Sequence, residues 1–490
     1  MIMASLMGFD YSKLHVLVVC YPAQGHINPM LQFAKLLASK NVGVTFVTTE
    51  ACRKSIIEAQ DAVLGGSKKR EEVRFETISD GLTSDSERRD VEVVLNMLFE
   101  IGGEALGNLI ERLNSEGNKI SCIVLDSFLT WIPGVAKKFN IPSAFFWTQS
   151  CAVFSIYHHF IVGDMAAAWD ETWETVDAIE IPGLPPLRVS DMPSFLLPSN
   201  PHPTLSRFVV EQFQSLPEST WILGNSFQEL ESEEINSMKL IAPIRTVGPL
   251  IPSAFLGSRN PGDTDVGANL WRSANCTDWL DRKQPASVVY VSFGSLAVLS
   301  KEQTCEIALG LKASGHHFIW VIRPSASDGG MTSYKNLPEG FLEEISEQGL
   351  VVPWCQQLQV LSHESVGAFM THCGWNSTLE SLSLGVPMLA VPQWSDQITN
   401  STWVERKWKM GLRVNKRSAD GLVEKEEVEK CVRMVMETER GVEMRENASQ
   451  WKTLAREAMA EGGSSDKNIE DFIEEIAAKS LRISGSGVPI

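Results

Sequence analysis

The chain is predicted to be an α/β protein of two doubly wound domains, each a mainly parallel sheet with helices on both faces, opposed across a cleft. Three observations predict it. Apolar β-branched runs recur without polar alternation, helical patterns separate several of them, and the whole series restarts after a break near residue 250. A strand buried on both faces reads as a continuous apolar run, and the helices between such strands supply the crossovers that parallel pairing needs. At 490 residues the chain is also longer than one core ordinarily serves.

Leu14 to Cys20 (LHVLVVC) opens the series as a strand, followed by a Pro and Gly loop. Asn28-Pro29 then begins a helical pattern through Leu31, Phe33, Ala34, Leu36 and Leu37. Val42 to Thr48, Val73 to Ile78, Ile120 to Leu125 and Ser143 to Trp147 read as further strands of a domain spanning residues 1–250. Residues 160–215 depart from the alternation, rich in Pro, Trp and Met, and read as an irregular insertion. Residues 251–270 hold Pro, Gly, Ser, Asn and Asp without sustained periodicity and form the expected linker.

The second domain, 271–463, begins its sheet with Val288 to Phe293, which ends in Gly294-Ser295. A helix from Lys301 to about Lys312 and a strand at Phe318 to Ile322 follow. Leu350 to Val352, Ala368 to Met370 and Met388 to Val391 are further strands, interleaved with helices near Thr378 to Leu384 and Glu424 to Met436. In residues 464–490 a last amphipathic helix, about Asp466 to Ala478, carries Ile469, Phe472, Ile473 and Ile476 on one face.

Acidic residues outnumber basic ones by 61 to 43, a formal charge of −18 that repels nucleic acid and anionic membranes. An anionic ligand must therefore be held by local geometry. Nine scattered cysteines without a CxxC spacing suggest neither a disulfide framework nor a zinc site and fit a reducing compartment. The first apolar run is too short to cross a bilayer and has no basic region before it. A cytoplasmic monomer without an integral membrane segment is expected.

The richest stretch runs from Trp354 to Gln397. A strand (Gly367 to Met370) leads into Thr371-His372-Cys373-Gly374-Trp375-Asn376-Ser377, and a helix starts near Thr378. Free N–H groups and the dipole at a helix N-terminus suit a diphosphate; Gly374 lets the backbone approach, and His372 can add a donor. An ordinary capped helix start explains the same residues equally well when they are taken alone. Glu380 lies one turn beyond Asn376, where it can meet ribose hydroxyls, Trp354 offers a flat ring to a base, and Asp396-Gln397 supply polar groups for sugar hydroxyls. In the first domain, His26 sits in the loop after the first strand and Asp126 follows the Ile120 to Leu125 strand, so both reach one sheet edge. A carboxylate on one ring nitrogen would fix the tautomer of an imidazole acting as general base.

The Trp354 to Gln397 block strongly resembles the 44-residue signature of plant family-1 UDP-sugar glycosyltransferases, and the order of elements over nearly the whole chain is similar to their two-domain GT-B fold. The resemblance implies that Trp354 stacks on uracil, with Cys355 and Gln357 beside the nucleotide. It implies that Glu380 binds ribose, that His372, Gly374, Asn376, Ser377 and Ser295 hold the diphosphate, and that Trp375, Asp396 and Gln397 face the sugar. The closing Gln points to UDP-glucose as donor. His26 with Asp126 is then the base pair that deprotonates a small, largely apolar acceptor such as a flavonoid, terpenoid or phenolic, with inversion at the anomeric carbon. Trp354-Cys355, where relatives have Trp-Ala-Pro, leans toward groups that form glucosides and esters.

No metal is expected. Asp263-Thr264-Asp265 imitates a metal-holding DxD string but lies in the linker, and His158-His159 and His316-His317 are adjacent pairs whose side chains diverge on regular elements. Neither GxGxxG nor GxxxxGK occurs. Two alternatives stand beside the transferase: a UDP-sugar epimerase or phosphorylase on the same fold, and a non-catalytic UDP-sugar-binding protein. Phe145, Phe146, Trp147, Trp169, Trp173 and Phe195 are candidates for an aromatic acceptor wall, with core packing an equal reading for each.

Overall fold

β1 (His15–Val19) lies between two partners and is buried from its second residue onward. Its Val16 sits beside Val44 of β2 (Gly43–Thr49) and Cys122 of β4 (Cys122–Asp126). β3 (Arg74–Ile78), β5 (Ser143–Trp147), β6 (Trp221–Gly224) and β7 (Ile244–Thr246) extend this sheet in the order β3-β2-β1-β4-β5-β6-β7, with every pairing parallel. The second sheet is built from β8 (Val288–Ser292), β9 (His317–Val321), β10 (Gly349–Val352), β11 (Val366–Thr371), β12 (Met388–Ala390) and β13 (Gly411–Arg413). Its order is β10-β9-β8-β11-β12-β13, again parallel throughout. Each sheet therefore reverses its strand order once, between β1 and β4 and between β8 and β11. At such a switch point the following loops diverge and leave a crevice at the carboxyl edge of the strands.

These features come from a computed structural model that describes residues 9–64, 73–84, 86–165, 178–197, 200, 202–257, 273–323, 333–417 and 421–485. Asp263-Thr264-Asp265, Trp169, Trp173 and most of the expected linker lie outside the described residues.

Apolar side chains pack on both faces of both sheets. A further cluster joins the lobes, bringing Ala152, Ile156 and Phe227 against Trp375, Leu379, Trp403 and Trp408. The terminal helix Ser464–Gly485 crosses to the first sheet, where Ile469, Phe472, Ile473 and Ile476 are buried against β1 and β4 residues. Phe472 meets Trp221 edge-on at 5.2 Å and Phe33 at 6.2 Å, and truncating a ring so enclosed costs about 3–5 kcal/mol.

The helix Val91–Ser115 is the one described helix apolar and long enough to cross a membrane. Its Leu98, Leu106 and Ile110 are buried in the first-domain core, the pattern of a core helix.

Three local expectations need correction. The first long helix spans Gln24–Ser39, so His26 stands in its first turn and Pro29 lies inside it. A proline there removes the bond to the Gly25 carbonyl, and that carbonyl instead accepts from Asn376 Nδ2 at 2.6 Å. Residues 160–215 are not irregular throughout, because Pro203–Ser215 is a helix with Phe208, Val209 and Phe213 buried. Its polar residues had masked the apolar face. The helix expected near Thr378 begins at Trp375, with Gly374 as its N-cap.

Candidate functional site at two switch points

Asp126 ends β4 and is fully buried, while His26 follows β1 with its side chain 16% exposed. A buried carboxylate is tolerable only with donors around it. Asp126 has them: His26 Nδ1 lies 2.9 Å from Oδ2 and 3.1 Å from Oδ1, and the N–H groups of Tyr21 and Phe128 donate at 3.3 and 3.0 Å. With Nδ1–H directed at the carboxylate, Nε2 carries the lone pair. The Phe128 ring lies 4.8 Å from the imidazole and Tyr21 meets it edge-on at 5.4 Å, which fixes its plane. An imidazole held this way can take a proton from a hydroxyl.

At the other switch point, β11 runs into His372, and Cys373 turns the chain with φ of +61°. That left-handed turn aims the next residues into the start of the Trp375–Leu384 helix, whose first N–H groups have no intrahelical acceptor. The His372 ring lies between two glycines: a Cβ on Gly294 or on Gly374 would come within 2.5 Å of Nε2. Only glycine leaves room for the ring at both positions. Burial first, and the Arg323 charge second, lower its pKa to about 4. The ring is thus neutral at physiological pH.

Farther along this cleft Gln357 acts as a bridge. Its Nε2 donates to Glu380 at 2.7 Å and to Ser377 Oγ at 2.9 Å, and its Oε1 accepts from Tyr290 at 3.3 Å. Burial raises the Glu380 carboxyl to about 7, against the lowering effect of the Gln357 amide. Burial likewise raises Asp396 to about 6, opposed by the Asn400 amide, which donates to it at 2.7 Å. The Gln397 Oε1 accepts from the N–H groups of Gln393 and Trp394 at 2.9 and 3.2 Å, which fixes the acceptor end of the amide.

The cleft between the lobes is lined by His26, Ser295, Trp354, Cys355, Gln357 and His372, together with Gly374, Trp375, Asn376, Ser377, Glu380, Asp396 and Gln397. Asp126 stands directly behind His26 and completes the expected set. Trp375 lines the cleft but is 3% exposed, its Nε1 committed to the Asn225 carbonyl at 2.6 Å. Cys355 is buried, with Sγ 3.4 Å from the Tyr290 hydroxyl.

Of the expected aromatic wall, Phe145, Phe146 and Trp147 belong to the core of the first lobe, and Phe195 alone of the described candidates lines the cleft. Phe195 meets Trp394 edge-on at 5.6 Å. Further apolar lining includes Val91, Leu95, Phe128, Leu205 and Phe208. Sequence reasoning passed over these, together with Tyr290 and Gly294. Spacing held one missed signal: Leu205, Phe208 and Val209 lie three and four residues apart, as one helix face does. His316 and His317 diverge onto Glu437 at 2.9 Å and the Gln348 carbonyl at 3.2 Å.

Known proteins share this fold. Residues 263–454 match the family described as UDP-glucoronosyl and UDP-glucosyl transferase, and residues 12–79 match the glycosyltransferase N-terminal domain. The chain is 43% identical to UDP-glycosyltransferase 74D1 of Arabidopsis thaliana, over 95% of this chain and 99% of that one. It is 40% identical to a gallate 1-beta-glucosyltransferase of Quercus robur, over 96% and 91%. Among solved structures, Os79 from O. sativa in complex with UDP superposes with a TM-score of 0.82 at 34% identity, covering 94% of this chain and 100% of that one. Phytolacca americana UGT2, solved with UDP-2fluoro-glucose and pterostilbene, gives 0.77 at 26% identity over 95% and 100%. A shared two-lobed fold and this level of identity over nearly the full length place the chain in the plant UDP-glycosyltransferase family, as an enzyme that uses a UDP-sugar donor.

Proposed function

We propose that this enzyme transfers glucose from UDP-glucose to a hydroxyl of a small, largely apolar acceptor, with inversion and without a metal ion, using His26 as general base. The observation that carries the reading is the imidazole–carboxylate pair: a cleft-lining ring whose Nδ1 is held at 2.9 Å by a fully buried Asp126. The acceptor would rest against the apolar lining from Phe128, Phe195, Leu205 and Phe208.

In the proposed step the acceptor hydroxyl gives its proton to His26 Nε2 as its oxygen attacks the anomeric carbon. The bond from that carbon to the β-phosphate oxygen breaks, and its electron pair leaves with UDP. The Asp126 carboxylate stabilises the imidazolium. Attack from the face opposite the leaving group turns an α-linked donor into a β-glucoside. Charge developing on the diphosphate is met by the start of the Trp375–Leu384 helix, with donors from His372, Asn376 and Ser377 and from Ser295 opposite. Trp354 and Gln357 would hold uracil, and Glu380 the ribose hydroxyls. Asp396 and Gln397 would contact the glucose, and the amide orientation of Gln397 suits donation to a sugar hydroxyl.

The relatives' names support the acceptor class, since they include a limonoid UDP-glucosyltransferase and a mogroside I-E synthase. The test is purified protein with UDP-glucose and a panel of apolar alcohols and phenols, read by mass spectrometry and UDP release. Expected are β-glucosides formed equally well in EDTA, with His26→Ala nearly inactive yet still binding UDP. Sugar turnover without an acceptor, or donor binding without turnover, would remove the transferase step.

A further inference from the structure

Asn400 lies one helical turn after Asp396 on the Gln397–Thr402 helix, is 1% exposed, and does not line the cleft. Its side chain ties a cleft-lining carboxylate to a backbone turn and to the opposite lobe. Nδ2 donates to Asp396 Oδ2 at 2.7 Å and to the Cys373 carbonyl at 3.0 Å. Oδ1 accepts from Ser150 Oγ at 3.1 Å. Ser150 is itself buried and belongs to the first lobe, where it caps the Cys151–Ile161 helix by accepting from the Val153 N–H at 3.2 Å. Its carbonyl also accepts from Trp147 Nε1 at 2.9 Å.

An amide has a donor end and an acceptor end. Here the acceptor end is fixed by a hydroxyl of the opposite lobe, so the donor end must point at the carboxylate and at the left-handed Cys373 turn. Asp396 is buried, and the Asn400 amide leads the donors around its carboxylate, ahead of the Ser395 hydroxyl and the Trp375 N–H. We propose that Asn400 is a positioning residue: held by Ser150 across the lobe boundary, it orients the Asp396 carboxylate toward the sugar of the bound donor. It rests on the reading that Asp396 faces that sugar.

The chain of contacts makes the acceptor lobe part of the sugar subsite without touching the sugar. UDP, which has no sugar, should not sense its loss. The experiment compares Asn400→Ala, Ser150→Ala and Ser150→Thr with the wild-type enzyme, by calorimetric affinity for UDP and by kcat and KM for UDP-glucose and UDP-galactose.

Expected for Asn400→Ala is a fall in kcat/KM for UDP-glucose on the order of 10–100-fold, the scale on which small misplacements of contacts to a reacting group are felt. UDP affinity should stay within about 2-fold, and the preference for glucose over its 4-epimer should shrink. Ser150→Ala should give a smaller loss of the same kind, and Ser150→Thr, which keeps the hydroxyl, should restore it. An equal loss of UDP affinity in Asn400→Ala, or unchanged epimer preference in both alanine variants, would overturn the assignment in favour of a purely structural role. If the wild-type enzyme itself transfers no sugar, the proposed function falls first; normal wild-type transfer with an unaltered Asn400→Ala sinks only this inference.

Discussion

The two switch points occupy the same place in their sheets, and each presents a histidine to one cleft, yet their surroundings oppose each other. His26 follows β1 of the first sheet and leans on a buried carboxylate, with aromatic rings on its flanks. His372 follows β11 of the second sheet, lies between Gly294 and Gly374, and is held neutral by burial and by Arg323. A carboxylate on Nδ1 holds the His26 ring in one tautomer and leaves Nε2 with the lone pair. A neutral, buried imidazole keeps its proton count and offers one N–H donor and one lone-pair nitrogen. One topology therefore sets one histidine against a buried carboxylate and the other in a slot between two glycines.

The comparison can be broken most severely at His26. His26→Ala is expected to lower kcat/KM by about 10²–10⁴-fold, the usual contribution of a positioned general base, while calorimetry finds UDP affinity unchanged. Loss of both together would mean the two switch points are not separable. Asp126→Asn should come next, on the order of 10²-fold in kcat, because an amide N–H facing Nδ1 favours the wrong tautomer; steady-state rates across pH are the measurement.

Gly374→Ala probes the other side. Its backbone φ of −58° suits alanine, but the new methyl would meet His372 Nε2 at 2.5 Å. Crowding of that kind costs about 1–3 kcal/mol, so UDP should bind about 10-fold more weakly with kcat at saturating donor largely kept. A variant that binds UDP normally would show that the ring can move freely.

The smallest effect concerns Glu380. Its pKa, raised to about 7 from an ordinary 4.5, means the folded protein holds a proton that the unfolded chain releases. Stability from this group is present below about pH 4.5 and is lost as pH rises toward 7. Glu380→Gln should therefore raise the melting temperature of the UDP-free protein at pH 8 and not at pH 5, with at most about 3 kcal/mol at stake. A gain that is the same at both pH values would point to packing instead of charge.

The sequence announced the long features. Continuous apolar runs marked β1, β2, β4, β5, β8 and β9, because a strand covered on both faces must be apolar throughout. β6, β7 and β13 went unread; β7 and β13 each carry an arginine within three residues, which breaks the apolar run. The start of the first long helix was misread because Pro29 looked like a first-turn residue. Its cost inside a helix is offset by the bond from Asn376 to the Gly25 carbonyl, residues 351 positions apart in the chain.

By itself the sequence determined which chemistry-bearing groups exist and at which strand ends they stand, since spacing along strands and helices is a local matter. It therefore delivered His26, Asp126 and the Trp354 to Gln397 block. Tertiary structure alone decided what surrounds them. The glycine slot around His372, the Ser150 hydroxyl reaching Asn400 from the other lobe and the raised carboxyls of Glu380 and Asp396 all arise between residues distant in the chain. Desolvation and contact depend on what arrives from elsewhere, and no local pattern encodes that.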